Sequence, residues 1–278
     1  MNHIRINHIA AIKKILLLVF LFTTSLIHAA KVDTILVHST AMNKDIKVLV
    51  VVPQTKGPHP VTYLLHGYGG DEKTWLIIRP DLAQLSDQYQ MMFVCPNCES
   101  SWYWDSPKVP TIRYETFTSK ELVEYIDKKY DTRATKQGRA ITGLSMGGHG
   151  SMWLALRHAD IYGAAGTTSG GVDIRPFPHD GVMKDLLGQE AENQEIWNQY
   201  VAINQIERIK NGDLALIVDC GYDDFFFEVN NDFHKKLLKY SIDHDFIVRP
   251  GAHTSDYWNN AIDYQLLFFK KYFDKKNH

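Results

Sequence analysis

Arg139-Ala140-Ile141-Thr142-Gly143-Leu144-Ser145-Met146-Gly147-Gly148 is the stretch of sequence that decides the fold. Its first four residues predict a strand, and a helical pattern begins at its last residues, so Ser145 lies in the turn between the two elements. Gly143 and Gly147 flank the serine at the G-x-S-x-G spacing. So sharp a turn strains the serine backbone, and residues without side chains let the strand and the helix approach closely. The pattern predicts a nucleophile elbow with Ser145 as the nucleophile.

Strand-like and helix-like segments alternate along the chain on both sides of this elbow. The predicted strands are 34–40, 45–52, 61–65, 91–95, 139–142, 162–167, 214–219 and 245–248. The predicted helices are 80–88, 115–130, 147–157, 227–240 and 255–273. Alternation at this spacing predicts a mainly parallel central sheet with helices on both faces, and the elbow makes it an α/β-hydrolase fold.

The active groups of such a sheet gather at the carboxyl ends of its strands. The stretch 171–212 shows no strand pattern and contains several aromatic and proline residues. It is predicted to form a short lid or excursion over that end of the sheet.

Residues 1–30 have the layout of a secretory signal peptide. A basic opening precedes the apolar run Ile15–Ile27, and the segment ends in Ala29-Ala30. The apolar run is shorter than the ~20 residues that a membrane-spanning helix needs. A membrane anchor is therefore the less favoured alternative. We expect cleavage near Ala29 or Ala30, a secreted or periplasmic protein, and no transmembrane span in the mature chain.

The remainder, 31–278, is predicted to be a single catalytic domain, because it has a suitable length and contains no repeat or linker. Subtracting the three basic residues of 1–30 from the 30 Lys and Arg leaves 27 against 32 Asp and Glu. This weakly acidic balance gives no indication of nucleic-acid binding. The oligomeric state is left open.

Three cysteines, Cys95, Cys98 and Cys220, are too few and too uneven for a disulfide framework. Cys95 and Cys98 have CxxC spacing, which is compatible with a redox pair, a lone disulfide or half of a zinc site. A second CxxC is absent from the sequence. Unpaired thiols at a strand end and in a loop are the favoured interpretation, and no metal or organic cofactor is predicted.

Two later strands run into loops that carry what a serine nucleophile needs. A histidine must take the proton of the serine, and a carboxylate must orient that histidine. In this fold they follow the serine in the order acid, then histidine. The strand ending at Asp219 is followed by Asp223 and Asp224, and the last strand is followed by His253. We select Asp224 and His253, while Asp219 and Asp223 remain rival acids because position alone does not separate the three.

Backbone N–H donors for an oxyanion are predicted at two turns. One is Met146, the residue after the nucleophile. The other is Tyr68, in the turn His66-Gly67-Tyr68-Gly69-Gly70 that follows an early strand. His66 itself is expected to pack or to hydrogen-bond locally rather than to act as a base.

At this point the sequence resembles the esterase D-like group of α/β-hydrolases. That group includes S-formylglutathione hydrolases, tributyrin esterases, and feruloyl and acetyl esterases of xylan degradation. The motifs that carry the resemblance span almost the whole mature chain in the same order: His66–Gly70, Ser101-Trp102-Tyr103 with Asp105-Ser106-Pro107, Gly143–Gly148, Cys220-Gly221 with Asp224-Phe225, and Gly251 with His253 and Trp258.

The resemblance implies a triad of Ser145, Asp224 and His253, and it favours Asp224 over Asp223. Members often have an acidic residue directly after the histidine, where this chain has Thr254, and a glycine near the position of Cys98. Both departures lie near the expected substrate mouth. The chemistry therefore transfers more directly than the substrate.

These observations predict a secreted serine carboxylesterase that hydrolyses short-chain or aromatic acyl esters through an acyl-enzyme. Secretion argues against intracellular glutathione thioesters and for extracellular esters, such as acyl groups on plant polysaccharide. Among the aromatic residues Tyr68, Trp102, Tyr103, Trp104, Tyr114 and Trp258, a substrate-binding role is predicted for Trp102 and Trp258, and packing is the favoured role of the others. The alternatives are a non-catalytic carbohydrate-binding protein of the same fold, and an acyltransferase or peptidase with the same triad.

Overall fold

The central sheet of the computed structural model follows the alternation that the sequence predicts. The structure describes residues 30–177 and 181–275. Within this part of the chain the strands are β1 (Lys31–Ser39), β2 (Lys44–Val52), β3 (Val61–Leu65), β4 (Met92–Pro96), β5 (Arg139–Gly143), β6 (Ala164–Thr168), β7 (Ala215–Gly221) and β8 (His244–Arg249). Their order across the sheet is β1-β2-β4-β3-β5-β6-β7-β8. The β1–β2 and β2–β4 pairs are antiparallel, and all neighbours from β4 to β8 are parallel.

The α-helices are α1 (Thr74–Ile78), α2 (Leu82–Tyr89), α3 (Tyr114–Thr116), α4 (Leu122–Lys129), α5 (Met146–Arg157), α6 (Gly181–Leu187), α7 (Gln194–Gln199), α8 (Phe227–Lys239) and α9 (Ser255–Lys275). A π-helical segment, Phe117–Glu121, joins α3 to α4, so the helix predicted over 115–130 is present with an interruption. Helix α1 was not predicted because five residues are too short to show a helical period.

Helices cover both faces of the sheet, which confirms the predicted fold class. Successive side chains of a strand point to opposite faces. Accordingly, Val48 and Val50 of β2 belong to one buried apolar cluster, whereas Leu49 and Val51 belong to the other. The first cluster includes residues of α4, α5 and α8, and the second includes residues of α1, α2 and α9. Every residue of β3, β4, β5 and β6 is buried, as expected for strands that are covered on both faces.

The parallel strands β3, β5, β7 and β8 direct their carboxyl ends to the same edge of the sheet. The loops that leave these ends carry the residues that the sequence singles out for chemistry. The stretch 171–212 contains α6, α7 and the 3₁₀ segments Glu190–Glu192 and Ala202–Arg208, and its described residues form no strand. Ile174, Phe177 and Met183 of this stretch line a cavity at the same edge.

The predicted signal peptide, 1–30, lies outside the described residues except for Ala30. Within 30–177 and 181–275, no helix is long and apolar enough to cross a membrane.

The cysteine question has a definite outcome in the structure. Cys95, Cys98 and Cys220 are all buried and free, so the CxxC pair forms no disulfide. Burial raises the pKa of the Cys98 thiol to about 12. Both CxxC thiols therefore behave as small packing residues, which is the favoured interpretation from the sequence.

Candidate active site

Ser145 occupies the turn between β5 and α5 in a strained backbone conformation. Its φ is 54° and its ψ is −118°, a region that residues with a side chain rarely adopt. A Cβ atom on Gly143 would lie 2.4 Å from the carbonyl oxygen of Gly147, and one on Gly147 would lie 2.4 Å from the carbonyl oxygen of Leu65. Both glycines are therefore required by the close approach of β5, α5 and β3.

One continuous chain of hydrogen bonds joins Ser145, His253 and Asp224. His253 Nε2 lies 2.8 Å from Ser145 Oγ. On the other side of the ring, His253 Nδ1 lies 3.1 and 3.0 Å from the two carboxylate oxygens of Asp224. A carboxylate accepts hydrogen bonds, so Nδ1 carries the proton and Nε2 presents its lone pair to the serine hydroxyl. The Asp224 side chain is fully buried, and that of His253 is 17% exposed.

The structure shows which of the three carboxylates, Asp219, Asp223 and Asp224, contacts His253, a choice that position along the chain leaves open. Asp224 faces His253, and its Oδ1 also accepts a hydrogen bond from the backbone N–H of Phe226 at 2.8 Å. Asp223 is exposed. Asp219 is buried against other groups, since Arg249 donates to both of its oxygens and the Tyr257 hydroxyl donates to one at 2.6 Å. Burial raises the pKa of Asp219, while these donors oppose the rise.

The two residues predicted to supply oxyanion donors belong to different elements that meet at the cavity containing Ser145. Met146 is the first residue of α5, so its N–H belongs to the first turn, whose amides have no acceptor within the helix. Tyr68 lies in the turn after β3, which the Gly70 N–H closes on the Gly67 carbonyl oxygen at 3.1 Å. Gly67, Tyr68, Ser145 and Met146 all line the same cavity.

His66 precedes this turn and is engaged on both ring nitrogens. Its Nδ1 donates to the Gly67 carbonyl oxygen at 2.7 Å, and its Nε2 accepts from the backbone N–H of Cys98 at 3.0 Å. Burial lowers the pKa of His66. A neutral ring with two backbone partners holds the turn in place, in agreement with the expected local role.

The two tryptophans predicted to bind substrate both line the cavity. Trp258 stands edge-on to His253, with ring centroids 5.0 Å apart and an interplanar angle of 88°. Trp102 is 4% exposed and stacks on Trp104 at 5.6 Å. Of the other aromatic residues considered, Tyr103, Trp104 and Tyr114 are fully buried, whereas Tyr68 is half-exposed at the cavity.

Comparison with known proteins assigns the chain to a family. Residues 39–269 match the family model described as "Putative esterase". The chain belongs to this esterase family. It is similar to an acetyl esterase of Caldicellulosiruptor saccharolyticus, with 23% identity over 254 residues that cover 81% of this chain and 92% of that protein. A solved ferulic acid esterase matches with a TM-score of 0.76 and 28% identity, over 88% of this chain and 98% of the other.

The fold extends to a further branch of the group. S-formylglutathione hydrolase of Staphylococcus aureus matches with a TM-score of 0.75 and 19% identity, over 87% of this chain and 99% of that one. At this identity the match shows the shared fold. Together, the comparisons confirm the resemblance to the esterase D-like group, and they identify the chain as a carboxylic ester hydrolase.

A group of phenylalanines around His253 in this esterase was not predicted. The ring centroid of Phe225 lies 4.3 Å from that of His253, and the ring centroid of Phe226 lies 5.5 Å away. Phe177 packs edge-on against Phe226 at 4.8 Å. An available signal was the run Phe225-Phe226-Phe227 directly after Asp224. Nothing in the sequence places Phe177, which is 48 positions earlier than Phe225, beside this run.

The cavity lined by Ser145 and His253 has a volume of about 840 Å³. This lies in the upper part of the range that is typical of small-molecule sites. Its lining is largely apolar and comes from the turn after β3, from α1, from the elbow, from the loops that carry Asp224 and His253, from the start of α9, and from Trp102, Ile174, Phe177 and Met183. Among the described residues, no group of three or more His, Cys, Asp or Glu side chains is arranged to hold a metal ion.

Proposed function

We propose that this esterase cleaves its substrate by a serine mechanism with Ser145, His253 and Asp224 as the catalytic triad. The observation that carries the proposal is the unbroken hydrogen-bonded contact from Ser145 Oγ through both ring nitrogens of His253 to Asp224. A serine hydroxyl is a weak nucleophile until a base removes its proton. The lone pair of His253 Nε2 is oriented toward that proton.

The first half of the reaction transfers the acyl group to Ser145. Ser145 Oγ attacks the ester carbonyl carbon while His253 Nε2 takes the hydroxyl proton, and the carbonyl electron pair moves onto oxygen. The N–H groups of Met146 and Tyr68 stabilise this oxyanion, and Asp224 stabilises the imidazolium. The intermediate then expels the alcohol, which takes the proton from Nε2, and leaves an acyl-Ser145 ester.

The second half returns the free enzyme. A water molecule gives a proton to His253 Nε2 as its oxygen attacks the acyl carbon. The second tetrahedral intermediate collapses, the Ser145 oxygen leaves with the proton from Nε2, and the carboxylic acid is released. No step needs a group beyond this chain, water and the ester.

We further propose that the acyl group is short or aromatic. The walls that Trp102, Trp258 and Phe225 provide are suited to a flat acyl group beside the nucleophile. An acetyl group would leave most of the 840 Å³ cavity unfilled, so this volume favours the aromatic group. A long alkyl chain would have to pass the stretch 171–212, which we propose acts as a short lid.

Secretion is part of the same proposal. The layout of residues 1–30 supports export, and extracellular esters, such as acyl groups on plant polysaccharide, are then the accessible substrates. N-terminal sequencing of the native protein should find a start close to Lys31 outside the cytoplasm. An intact Met1 terminus on cytoplasmic protein would exclude export.

A panel of p-nitrophenyl acetate, butyrate and palmitate together with a feruloyl ester tests the chemistry and the acyl preference. The wild-type protein should turn over the acetate, and Ser145→Ala should reduce kcat by about 10³-fold or more. Retained turnover in Ser145→Ala would exclude the serine mechanism.

The same panel tests the acyl pocket. We expect kcat/KM to be higher for the short and feruloyl esters than for palmitate, and Trp102→Ala and Trp258→Ala to lower it for the feruloyl ester. A preference for palmitate, or indifference to both substitutions, would exclude the proposed acyl group.

A further inference from the structure

The segment Ser101–Trp104, between β4 and α3, has an unusual backbone and two fully buried aromatic side chains. Trp102 and Tyr103 are consecutive residues with positive φ, 57° and 61°, which is unfavourable for residues with side chains. The Ser101 hydroxyl accepts a hydrogen bond from the Tyr103 N–H at 3.2 Å, and the Ser101 carbonyl oxygen accepts one from the Trp104 N–H at 3.2 Å. Such a strained backbone conformation persists only where surrounding contacts hold it, so the contacts of these side chains are of functional interest.

Tyr103 connects the turn after β3 to helix α5. Its hydroxyl donates to the carbonyl oxygen of His66 at 2.9 Å, two residues before Tyr68. Its ring lies against Gly150 of α5 so closely that a Cβ atom on this glycine would be 2.2 Å from Tyr103 Cδ2. Tyr103 is therefore wedged between the elements that carry the two predicted oxyanion donors, Tyr68 and Met146.

Trp104 reaches the nucleophile through a buried histidine of α5. Trp104 Nε1–H donates to His149 Nε2 at 2.9 Å, so the ring proton of neutral His149 is on Nδ1. Nδ1 donates to the Gly171 carbonyl oxygen at 3.1 Å, and the Gly171 N–H donates to the Ser145 carbonyl oxygen at 3.2 Å. A chain of three hydrogen bonds thus ends on the strained residue of the elbow.

We propose that Tyr103 and Trp104 are positioning residues that fix the spacing between the N–H donors of Tyr68 and Met146. The inference rests on the proposed function, since it concerns the oxyanion of that reaction. The two donors belong to different elements, and oxyanion stabilisation depends on donors that are already in place when charge develops. Tyr103 holds the Tyr68 turn against α5, and Trp104 holds the start of α5 against the loop after β6.

Tyr103→Phe removes the hydroxyl that holds the His66 carbonyl oxygen and keeps the ring. Tyr162→Phe is the matched control, because Tyr162 is also fully buried, its hydroxyl also donates to a backbone carbonyl oxygen, that of Thr118 at 3.1 Å, and it does not line the cavity. A displaced donor should cost less than a deleted one, so we expect kcat to fall by about tenfold in Tyr103→Phe. KM should stay near the wild-type value, and the control should keep both constants.

An arylboronic acid separates positioning from general loosening of the fold. Ser145 Oγ gives its proton to His253 Nε2 and bonds to the boron, and the resulting tetrahedral anionic adduct presents an oxygen to the same N–H donors. We expect its inhibition constant to rise in Tyr103→Phe by the same factor as kcat falls, and to be unchanged in Tyr162→Phe. Trp104→Phe provides a second variant, and because both residues act on one pair of donors, the losses of the double variant should be less than additive.

Hydrogen exchange of the backbone amides in 66–70 gives a readout that does not depend on turnover. Exchange should become faster in Tyr103→Phe than in Tyr162→Phe. If Ser145→Ala retains turnover, the proposed serine mechanism fails while exchange still decides whether Tyr103 holds the turn. The inference is overturned if Tyr103→Phe matches Tyr162→Phe in exchange, or in kcat and boronate affinity. It is equally overturned if Tyr103→Phe does not fold and Trp104→Phe leaves kcat and boronate affinity at wild-type values.

Discussion

Replacing Asp224 by asparagine is the sharpest test of the proposed triad, because the substitution keeps the size of the side chain and changes its hydrogen-bonding sense. The carboxylate accepts a hydrogen bond from His253 Nδ1–H, with its two oxygens 3.0 and 3.1 Å from Nδ1. An asparagine amide can instead donate to Nδ1, which moves the ring proton to Nε2. Nε2 then faces Ser145 Oγ with a hydrogen and can no longer act as the base.

The expected loss in kcat is about 10³- to 10⁴-fold, which corresponds to about 4–5.5 kcal/mol of transition-state stabilisation. Water has no access to replace the carboxylate, because the Asp224 side chain is fully buried. The assay is kcat for p-nitrophenyl acetate at fixed pH, together with the melting temperature. Folding should persist, since asparagine keeps an oxygen for the Phe226 N–H.

Asp223→Asn is the matched control, since Asp223 is the adjacent acid and is exposed. It should retain wild-type kcat. If Asp224→Asn loses less than about tenfold, or if Asp223→Asn loses as much as Asp224→Asn, the proposed role of Asp224 is refuted.

Three further predictions concern stability and the cavity. Burial lowers the pKa of His149 to about 3. As the pH falls, the unfolded chain therefore takes up a proton at this histidine near pH 6.5, whereas the folded protein does not. The free energy of unfolding should fall from about pH 6.5 toward about pH 3, by at most about 1.4 kcal/mol per pH unit. Melting curves of wild type and His149→Gln over this range should show a shallower decline in the variant, and equal slopes would contradict the assignment. Phe225→Ala should lower kcat/KM for a feruloyl ester by up to about tenfold and affect the acetate less, because an aromatic contact is lost. The exposed Tyr222 of the same loop does not line the cavity, so Tyr222→Ala should leave kcat/KM for both esters unchanged. Gly147→Ala should destabilise the fold by about 2 kcal/mol or more, because the added Cβ would collide with the Leu65 carbonyl oxygen of β3. Gly181→Ala should be neutral, because its Cβ would meet none of the described residues within 4 Å. Comparable melting temperatures of the two variants would refute this account of the elbow.

The sheet was predictable from sequence because each inner strand is a short apolar run bounded by turn residues. All eight predicted strands are present with ends displaced by a few residues. The order of the strands was harder to predict. β4 lies between β2 and β3, and the periodicity of the sequence carries no information about this position. Short helix α1 and the π-helical interruption after α3 also lack a local pattern of their own.

The candidate triad was accessible from sequence for a chemical reason. A nucleophile elbow constrains its neighbours to glycine, and the acid and base must follow at the carboxyl ends of later strands. The choice among Asp219, Asp223 and Asp224 was not accessible from position, because it depends on which side chain turns toward His253. In the structure, Asp219 is instead occupied by Arg249.

The residues of the cavity wall were much harder to predict from the sequence than the triad, for a physical reason. Trp102, Phe177 and Phe225 come from separate loops and Trp258 from the first turn of α9, and each is an ordinary apolar residue in its own context. Their common position depends on where three loops and the start of α9 meet at the edge of the sheet. Residues that line one cavity wall therefore show no regular spacing in the sequence, unlike residues that share one face of a strand or a helix.

The three histidines near the nucleophile show how one side chain acquires different tasks. The sequence has 13 histidines, and neither burial nor proximity to Ser145 identifies a base among them. His66 and His149 are both buried with lowered pKa, and both ring nitrogens of each are engaged by backbone groups or by Trp104. They stay neutral and hold loops. His253 has a carboxylate at one ring nitrogen and the Ser145 hydroxyl at the other. Of the three, it is therefore the histidine that is placed to take a proton from the Ser145 hydroxyl, and the carboxylate would stabilise the resulting imidazolium. The partners of the two ring nitrogens, more than the depth of burial, separate a histidine that positions from one that can transfer a proton.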